Sequence, residues 1–385
     1  MKTALLTGSF DPVTHGHADI FKRAASAFNH VIIGVGKNTS KKYLFCTEER
    51  VCFVNHCIDQ IRREIMPSNP DSRIEVVALG DRMTADFAYE NDAVLLKGVR
   101  MNSADFDYEQ MLKDINHAHQ SGLDTFIVPC DPALHWVSSS AAKEICKLNG
   151  NTESFVSLKV KAALEYKINS QLRIGLTGTI GSGKSTIADA LVAASGTFGM
   201  PVHNIDLDAM AHDVLFYRSE PAYITLRNSL KLQFGLKEWT RHSVGQLVFA
   251  NVQARELLNA AMETPLKTRL RAELLGKTGI ILINGALLIE SNWCAIFNNR
   301  VVLLDTPREQ QLARLSKRGH TQEQSERRIN AQFSTDAKLS TLNKIIEKTG
   351  FGSVQVFDTN CPLDNTVQQV SSQIREWLPS QNEHA

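Results

Sequence analysis

Two α/β domains, each a doubly wound parallel sheet, are the architecture this sequence predicts, and three observations carry the expectation. The chain has 385 residues, more than a single hydrophobic core comfortably serves. Short unbroken apolar runs alternate with amphipathic helical stretches throughout, the pattern of parallel strands covered on both faces. A glycine-rich turn between such a run and a helix start, "LRIGLTGTIGSGKSTIADAL" from Leu172 to Leu191, stands mid-chain, where a second domain would open.

In the first half the strands are read at "TALLTG", "HVIIGVG", "RIEVVAL", "AVLLKGV" and "DTFIVP". After the first of them, Ile20, Phe21, Ala24, Ala25 and Phe28 recur at helical spacing and mark a core-facing stripe. In the second half the strands are "LRIGLTG", a run ending in "VHNID", "GIILING" and "RVVLLD". The seam is placed in the polar stretch "EYKINSQ". The expected boundaries are 1–165 for the first domain, 166–171 for a linker, 172–378 for the second domain and 379–385 for a polar tail. The segment "IRREIMPSNPDSR" reads as a surface elaboration.

Composition narrows the class. Hydrophobic residues make up 43% and charged residues 22% of the chain, ordinary for a globular protein. Forty-two basic against 41 acidic residues give no global attraction to nucleic acid or membranes. Seven scattered cysteines without CxxC spacing read as reduced thiols, and no apolar run has signal-peptide or membrane-spanning form, so a cytoplasmic protein is expected.

Chemistry in the second half begins with Gly178, Gly183, Lys184 and Ser185, which spell G-x-x-x-x-G-K-S between strand and helix. Glycines let backbone N–H groups approach phosphate oxygens, the helix N-terminus adds positive charge, the lysine reaches the terminal phosphates and the serine hydroxyl ligates Mg2+. Asp206 and Asp208 lie at the carboxyl end of the next strand, the ligand edge of an open α/β sheet. A carboxylate there can take a proton from an attacking hydroxyl or hold a metal-bound water, while Asp208 would also serve simply as a helix N-cap. Arg314 and Arg318, one helical turn apart, are either phosphate-facing arginines on a mobile lid or part of a solvated helix.

With "GLTGTIGSGKST", "IDLDAMAHDV", "LLIE" (Leu287 to Glu290) and "RLSKRGHT…RINAQ" (with Arg328 and Gln332) in this order, residues from Leu172 to about Trp377 resemble dephospho-CoA kinase. The resemblance implies ATP held by Gly178, Gly181, Ser182, Gly183, Lys184, Ser185, Thr186 and Arg318. It implies Mg2+ at Ser185 and Asp206, and Lys184, Asp208 and Arg314 in catalysis with Asp208 as base on the ribose 3′-hydroxyl. Asp208 and Glu290 would meet the dephospho-CoA substrate. The chain departs from the family at Thr264-Pro265, where a His-Pro pair is usual, and at Ala286, where proline is usual; Arg241 lacks its usual acidic neighbour, and "AASGTFGM" lengthens the path from the phosphate loop to the Asp pair.

In the first half, "GSFDPVTHGH" brings Thr14, Gly16 and His17 to the positive end of a helix, where His17 can donate to an oxygen of a five-coordinate phosphate. Lys41 and Lys42 follow the second strand, Lys97 and Arg100 end another, and Ser138, Ser139 and Ser140 open a helix. Any one of these alone fits a solvated patch or an N-cap. Together, "GSFDPVTHGH", "SKKYLF…EER", "KGVR…DFDYE" and "VSSSAAKEI" resemble phosphopantetheine adenylyltransferase over residues 1 to about 165. This implies His17, Lys42 and Arg100 at the transition state. ATP would be bound by Ser9, Phe10, Thr14, Gly16, His17, Lys97, Gly98, Arg100, Glu109 and Ser138 to Ser140; 4′-phosphopantetheine would meet Ser9, Lys42, Met83 and Asn116. Lys97 stands for a usual arginine, Asp107 for a glutamate and His117 for an arginine.

The two resemblances imply consecutive reactions. ATP would adenylylate 4′-phosphopantetheine to dephospho-CoA with release of pyrophosphate, and a second ATP would phosphorylate it to CoA. The implied partners are these small molecules, with no nucleic acid and no membrane, and with homo-oligomerisation through the first half. The alternative is a nucleotidyltransferase for another phosphorylated substrate, fused to a P-loop domain that is regulatory or catalytically impaired.

Overall fold

The computed structural model describes residues 3–38, 41–65, 73–100, 103–120 and 123–379. The chain divides into two compact units, Met1–Ile168 and Asn169–Ala385.

In the first unit β1 (Thr3–Gly8) leads into α1 (His15–Ala27), β2 (His30–Gly36) into α2 (Thr47–Ile65) and β3 (Arg73–Gly80) into α3 (Thr84–Glu90). Then come β4 (Ala93–Val99), α4 (Ser103–His119), β5 (Thr125–Pro129), α5 (Ser139–Lys147) and α6 (Leu158–Asn169). The five strands form one parallel sheet in the order β3-β2-β1-β4-β5. Alternation along each strand serves two cores. Leu5, Ile32 and Leu95 pack with Leu79, Phe87 and Ala88 on one face, while Ala4, Leu6, Val31 and Ile33 meet Phe21, Ala25, Val54 and Ile58 on the other. The chain winds outward from β1 to β3 and then crosses back to β4, so the ligand-binding switch point lies at the carboxyl ends of β1 and β4. Gly98 makes that edge possible, because a Cβ there would come within 2.7 Å of Ile20 Cγ1 on α1.

The second unit begins directly. α6 runs to Asn169 and β6 (Gln171–Gly178) follows after Ser170, whose φ of 53° turns the chain. The expected linker 166–171 spans the last turn of α6, Ser170 and the first residue of β6. After β6 come α7 (Lys184–Ala193), β7 (Val202–Asp206), α8 (Leu207–Phe216), α9 (Pro221–Gln233), α10 (Arg241–Ala250) and α11 (Val252–Leu274). β8 (Gly279–Asn284), β9 (Arg300–Asp305), α12 (Arg308–Lys317), α13 (Gln322–Asn330), α14 (Thr335–Thr349), β10 (Ser353–Asp358) and α15 (Leu363–Trp377) complete it. Its sheet is also five-stranded and parallel, in the order β10-β9-β6-β8-β7. Ile174, Leu176, Leu282 and Val302 pack under α7 and α15, and Ile281, Ile283, Val301 and Leu303 under α11 and α14.

Among the described residues no helix is long and apolar enough to cross a membrane. All seven cysteines are free thiols. The elaboration read at "IRREIMPSNPDSR" is helical to Ile65, while residues 66–72, like residues 380–385 of the tail, lie outside the described residues.

Candidate active sites

In the first unit the site grows from the turn after β1. Thr14 is the N-cap of α1, and its backbone N–H donates to His17 Nδ1 at 3.0 Å. A backbone amide can only donate, so Nδ1 is an acceptor and the ring proton sits on Nε2. Burial, with the Arg100 guanidinium adding to it, pulls the His17 imidazole down to about 4. His17 is thus a neutral ring with one N–H donor. Phe10, in left-handed backbone at φ 47°, is buried with its ring edge-on to His17 at 5.1 Å and to Phe21 at 5.4 Å. Its ring is therefore core, and only its backbone remains for a ligand.

Several other sequence-predicted groups of this unit follow the carboxyl ends of the same strands. Lys97 Nζ donates to Thr7 Oγ1 of β1 at 3.2 Å and lies 3.8 Å from Glu109 Oε2 on α4. Lys42 is exposed in the loop after β2, and Arg100 follows β4. The three serines separate: Ser138 Oγ caps α5 by accepting from Ala141 N at 3.1 Å, Ser139 Oγ donates to Pro12 O at 2.7 Å, and Ser140 is exposed. The side chains of Ser138 and Ser139 thus build the turn. Met83, 50% exposed, is the N-cap of α3, and Asn116 is half-buried on α4.

Sequence reading missed two residues that hold this site. Asp11 is buried and accepts from Leu44 N at 3.1 Å, Phe45 N at 3.0 Å and Lys143 Nζ at 3.0 Å, tying the β1–α1 turn to the Lys42 loop and to α5. Arg50, 1% exposed, donates to Ser9 O at 2.6 Å and Gly36 O at 2.8 Å, clamping the ends of β1 and β2 together. Their only signal was a charged residue within a quoted motif. Asp11→Ala strands two amides and an ammonium; about 3 kcal/mol of stability is expected to be lost, read as a lower urea midpoint at unchanged slope. An unchanged midpoint would contradict the clasp. A cavity of about 550 Å³ lined by Thr47, Cys52, His56 and Lys159 among others contains none of the sequence-predicted site residues.

In the second unit the phosphate loop is built by left-handed glycines, Gly181 at φ 81° and Gly183 at φ 87°, with Gly183 capping α7. Gly178 has no alternative: a Cβ there would lie 2.4 Å from Leu304 O. Lys184 Nζ folds over the loop, donating to Gly178 O and Thr179 O, each at 3.1 Å. Burial pulls its ammonium down to about 8; Asp208 opposes that pull and Lys338 adds to it. Ser185 and Thr186 are exposed at the start of α7.

Arg314, expected on a lid, is hydrogen-bonded to the phosphate loop. Its guanidinium donates to Gly181 O at 2.9 Å, Thr359 Oγ1 at 3.2 Å and Thr359 O at 2.7 Å, and Thr359 Oγ1 donates to Ser182 O at 2.9 Å. It braces the phosphate loop against the turn after β10. Arg318 caps the C-terminus of α12, exposed, and close enough to Lys184 to lower its affinity for protons. Gln332, quoted in a motif without a role, accepts from Ile180 N at 2.8 Å and so also shapes the loop.

Asp206, not Asp208, caps α8: its Oδ1 accepts from Ala209 N at 2.9 Å. Asp208 sits in the first turn, and its Oδ2 accepts from Ala286 N at 3.0 Å. It opens to solvent on one side, yet the desolvation imposed by its walls pushes its carboxyl above the ordinary Asp range, with the Ala286 amide and Lys184 working against that shift. Glu290, implied as a substrate contact, is the ion-pair partner of Lys338. Lys338 Nζ donates to its two oxygens at 2.7 and 2.8 Å, and Phe333 N donates to Oε1 at 3.0 Å. Lys338 carried no sequence signal, being one lysine among the apolar positions of α14.

Comparison with known proteins agrees unit by unit. Residues 5–145 match the cytidylyltransferase-like family and residues 172–351 the dephospho-CoA kinase family. The first unit is similar to phosphopantetheine adenylyltransferase of Levilactobacillus brevis, 38% identical over 44% of this chain and 98% of that protein. It is likewise similar to the enzyme of the same name in Lactobacillus acidophilus, 37% identical over 44% of this chain and 100% of the relative. A third, from Psychromonas ingrahamii, is 38% identical over 43% of this chain and 97% of its own length. The chain belongs to the phosphopantetheine adenylyltransferase family over its first unit and carries a dephospho-CoA kinase domain over its second, and it is a bifunctional transferase, with ATP as co-substrate, for the last two steps of coenzyme A biosynthesis.

Proposed function

We propose that the two reactions are carried by the residues gathered at the two sheet edges. In the first unit the 4′-phosphopantetheine phosphate attacks the α-phosphorus of ATP in line and pyrophosphate leaves. No group on the protein is adenylylated or phosphorylated, so the residues position and stabilise charge. His17 gives its Nε2–H to an equatorial oxygen as charge builds there, with Arg100 and Lys42 supplying positive charge. Ser9, the Phe10 backbone, Thr14, Gly16, Lys97, Gly98, Glu109 and the α5 N-terminus at Ser138 to Ser140 contact ATP, and Met83 and Asn116 line the pantetheine side. The fixed tautomer of His17 is the observation that carries this half: Thr14 N–H occupies Nδ1 and leaves a neutral donor.

In the second unit Asp208 accepts the proton of the ribose 3′-hydroxyl as it attacks the γ-phosphorus of a second ATP held by the phosphate loop, the bond to the β,γ-bridging oxygen breaking and ADP leaving. Its Oδ2 is already engaged by Ala286 N, leaving Oδ1 for the hydroxyl. Ser185 Oγ and Asp206 Oδ2 are hard oxygen donors of the kind Mg2+ takes together with substrate phosphates and waters, and Mg2+ would neutralise phosphate charge there. Lys184, released from its carbonyl contacts, turns to the phosphates. Arg314 supports this loop from behind, and Arg318 faces the nucleotide. Assembly of copies through the first unit and residence in the cytoplasm complete the proposal.

A substrate panel tests the first-half assignment. Pyrophosphate release is expected with 4′-phosphopantetheine and not with nicotinate mononucleotide or phosphocholine under the same ATP or CTP supply. Release with either of the latter two alone would overturn it.

A further inference from the structure

We propose that Lys338 and Glu290 are a positioning pair for the Asp208 carboxylate, acting through the backbone of Ala286. The inference rests on the reading of Asp208 as proton acceptor in the kinase half. The Lys338 side chain is completely buried, and its three N–H groups are all assigned: 2.8 Å to Ala286 O, and 2.7 and 2.8 Å to the Glu290 oxygens. The same Ala286 donates its N–H to Asp208 Oδ2 at 3.0 Å. A continuous path therefore runs from α14, through Ala286 two residues beyond β8, to the carboxylate in the first turn of α8.

A buried ion pair is a poor way to gain stability, because desolvation of two charges offsets most of their attraction and an apolar pair of similar volume often holds a fold as well. What an ion pair supplies that an apolar pair cannot is direction. Lys338 has a fixed acceptor geometry, with Glu290 holding its charge in place and a third N–H left for one carbonyl. That carbonyl belongs to the residue whose amide fixes one oxygen of Asp208. With Oδ2 held, the carboxylate cannot spin about its Cβ–Cγ bond, and Oδ1 stays presented to a hydroxyl. Glu290 and Lys338 touch no reacting atom in this account; they set the angle of the group that does.

The test is a pair of variants assayed on dephospho-CoA and Mg-ATP with the full chain. Lys338→Met alone leaves a buried carboxylate and risks unfolding the unit, so the decisive protein is Glu290→Gln with Lys338→Met. This double variant removes both charges, leaves the net charge around Asp208 unchanged and deletes the donor to Ala286 O. A loss of kcat of about 10- to 100-fold, with KM for ATP within about twofold, is expected, since small misplacements of a catalytic group cost rates on that scale. Thermal melting confirms the fold, and adenylyl transfer by the first unit serves as an internal reference. The same change is then made in an Asp208→Asn background. If the pair works through Asp208, it adds no further loss there. Wild-type kcat in the double variant, or a full additional loss on top of Asp208→Asn, overturns the inference. Wild-type kcat in Asp208→Asn alone overturns the base assignment itself, a separate and distinguishable result.

Discussion

Lys184→Ala is expected to stop CoA formation while dephospho-CoA accumulates at the wild-type rate. The lysine ammonium already lies inside the phosphate loop, 3.1 Å from the Gly178 and Thr179 carbonyls. Burial pulls its proton affinity down to about 8, so it remains mostly protonated at neutral pH, and a bound triphosphate would raise that value again. Removing a preorganised charge from a transferring phosphoryl group costs about 10²- to 10³-fold in rate. The effect should be confined to one reaction, because all the groups around Lys184, from Asp208 to Arg318, belong to the second unit. Following dephospho-CoA and CoA by chromatography checks this. CoA formation at an unchanged rate, or loss of both activities together, would contradict it.

His17→Ala should do the reverse, cutting pyrophosphate release about 10²- to 10³-fold while added dephospho-CoA is still phosphorylated. The pH dependence is the sharper test. With the folded imidazole held down to about 4, against 6.5 for an ordinary histidine, His17 stays neutral throughout the physiological range. The unfolded chain takes up a proton as pH falls through 6.5 and the folded one does not until about 4. His17 therefore contributes its full stabilising share above 6.5 and loses it as pH falls through that window. For catalysis the same neutrality predicts a His17-dependent rate that is flat between pH 6 and 8. An inflection near 6.5, or an alanine variant that adenylylates at the wild-type rate, would show that the ring acts as an imidazolium or not at all.

Much of this architecture was legible because parallel strands buried on both faces are nearly pure in composition: "GIILING" and "RVVLLD" admit few other readings. β10 was not, because "SVQVFD" lies at the sheet edge and pairs only with β9, so only Phe357 needs to be buried. The groups proposed to touch substrates announce themselves through glycine spacing and through Thr-x-Gly-His. Those that position them do not. Asp11, Arg50 and Lys338 act through backbone amides and carbonyls brought together from distant parts of the chain, and no spacing in a sequence encodes such a contact. Arg314 illustrates the converse. Its place in a motif was visible, but only the Gly181 and Thr359 carbonyls show that it braces the phosphate loop.

One incubation tests the central claim most directly: purified protein with 4′-phosphopantetheine and Mg-ATP, following pyrophosphate, dephospho-CoA and CoA together. The account predicts CoA with one equivalent of pyrophosphate per CoA, dephospho-CoA rising first and then consumed. Pyrophosphate and dephospho-CoA without CoA, or no pyrophosphate at all, would contradict it.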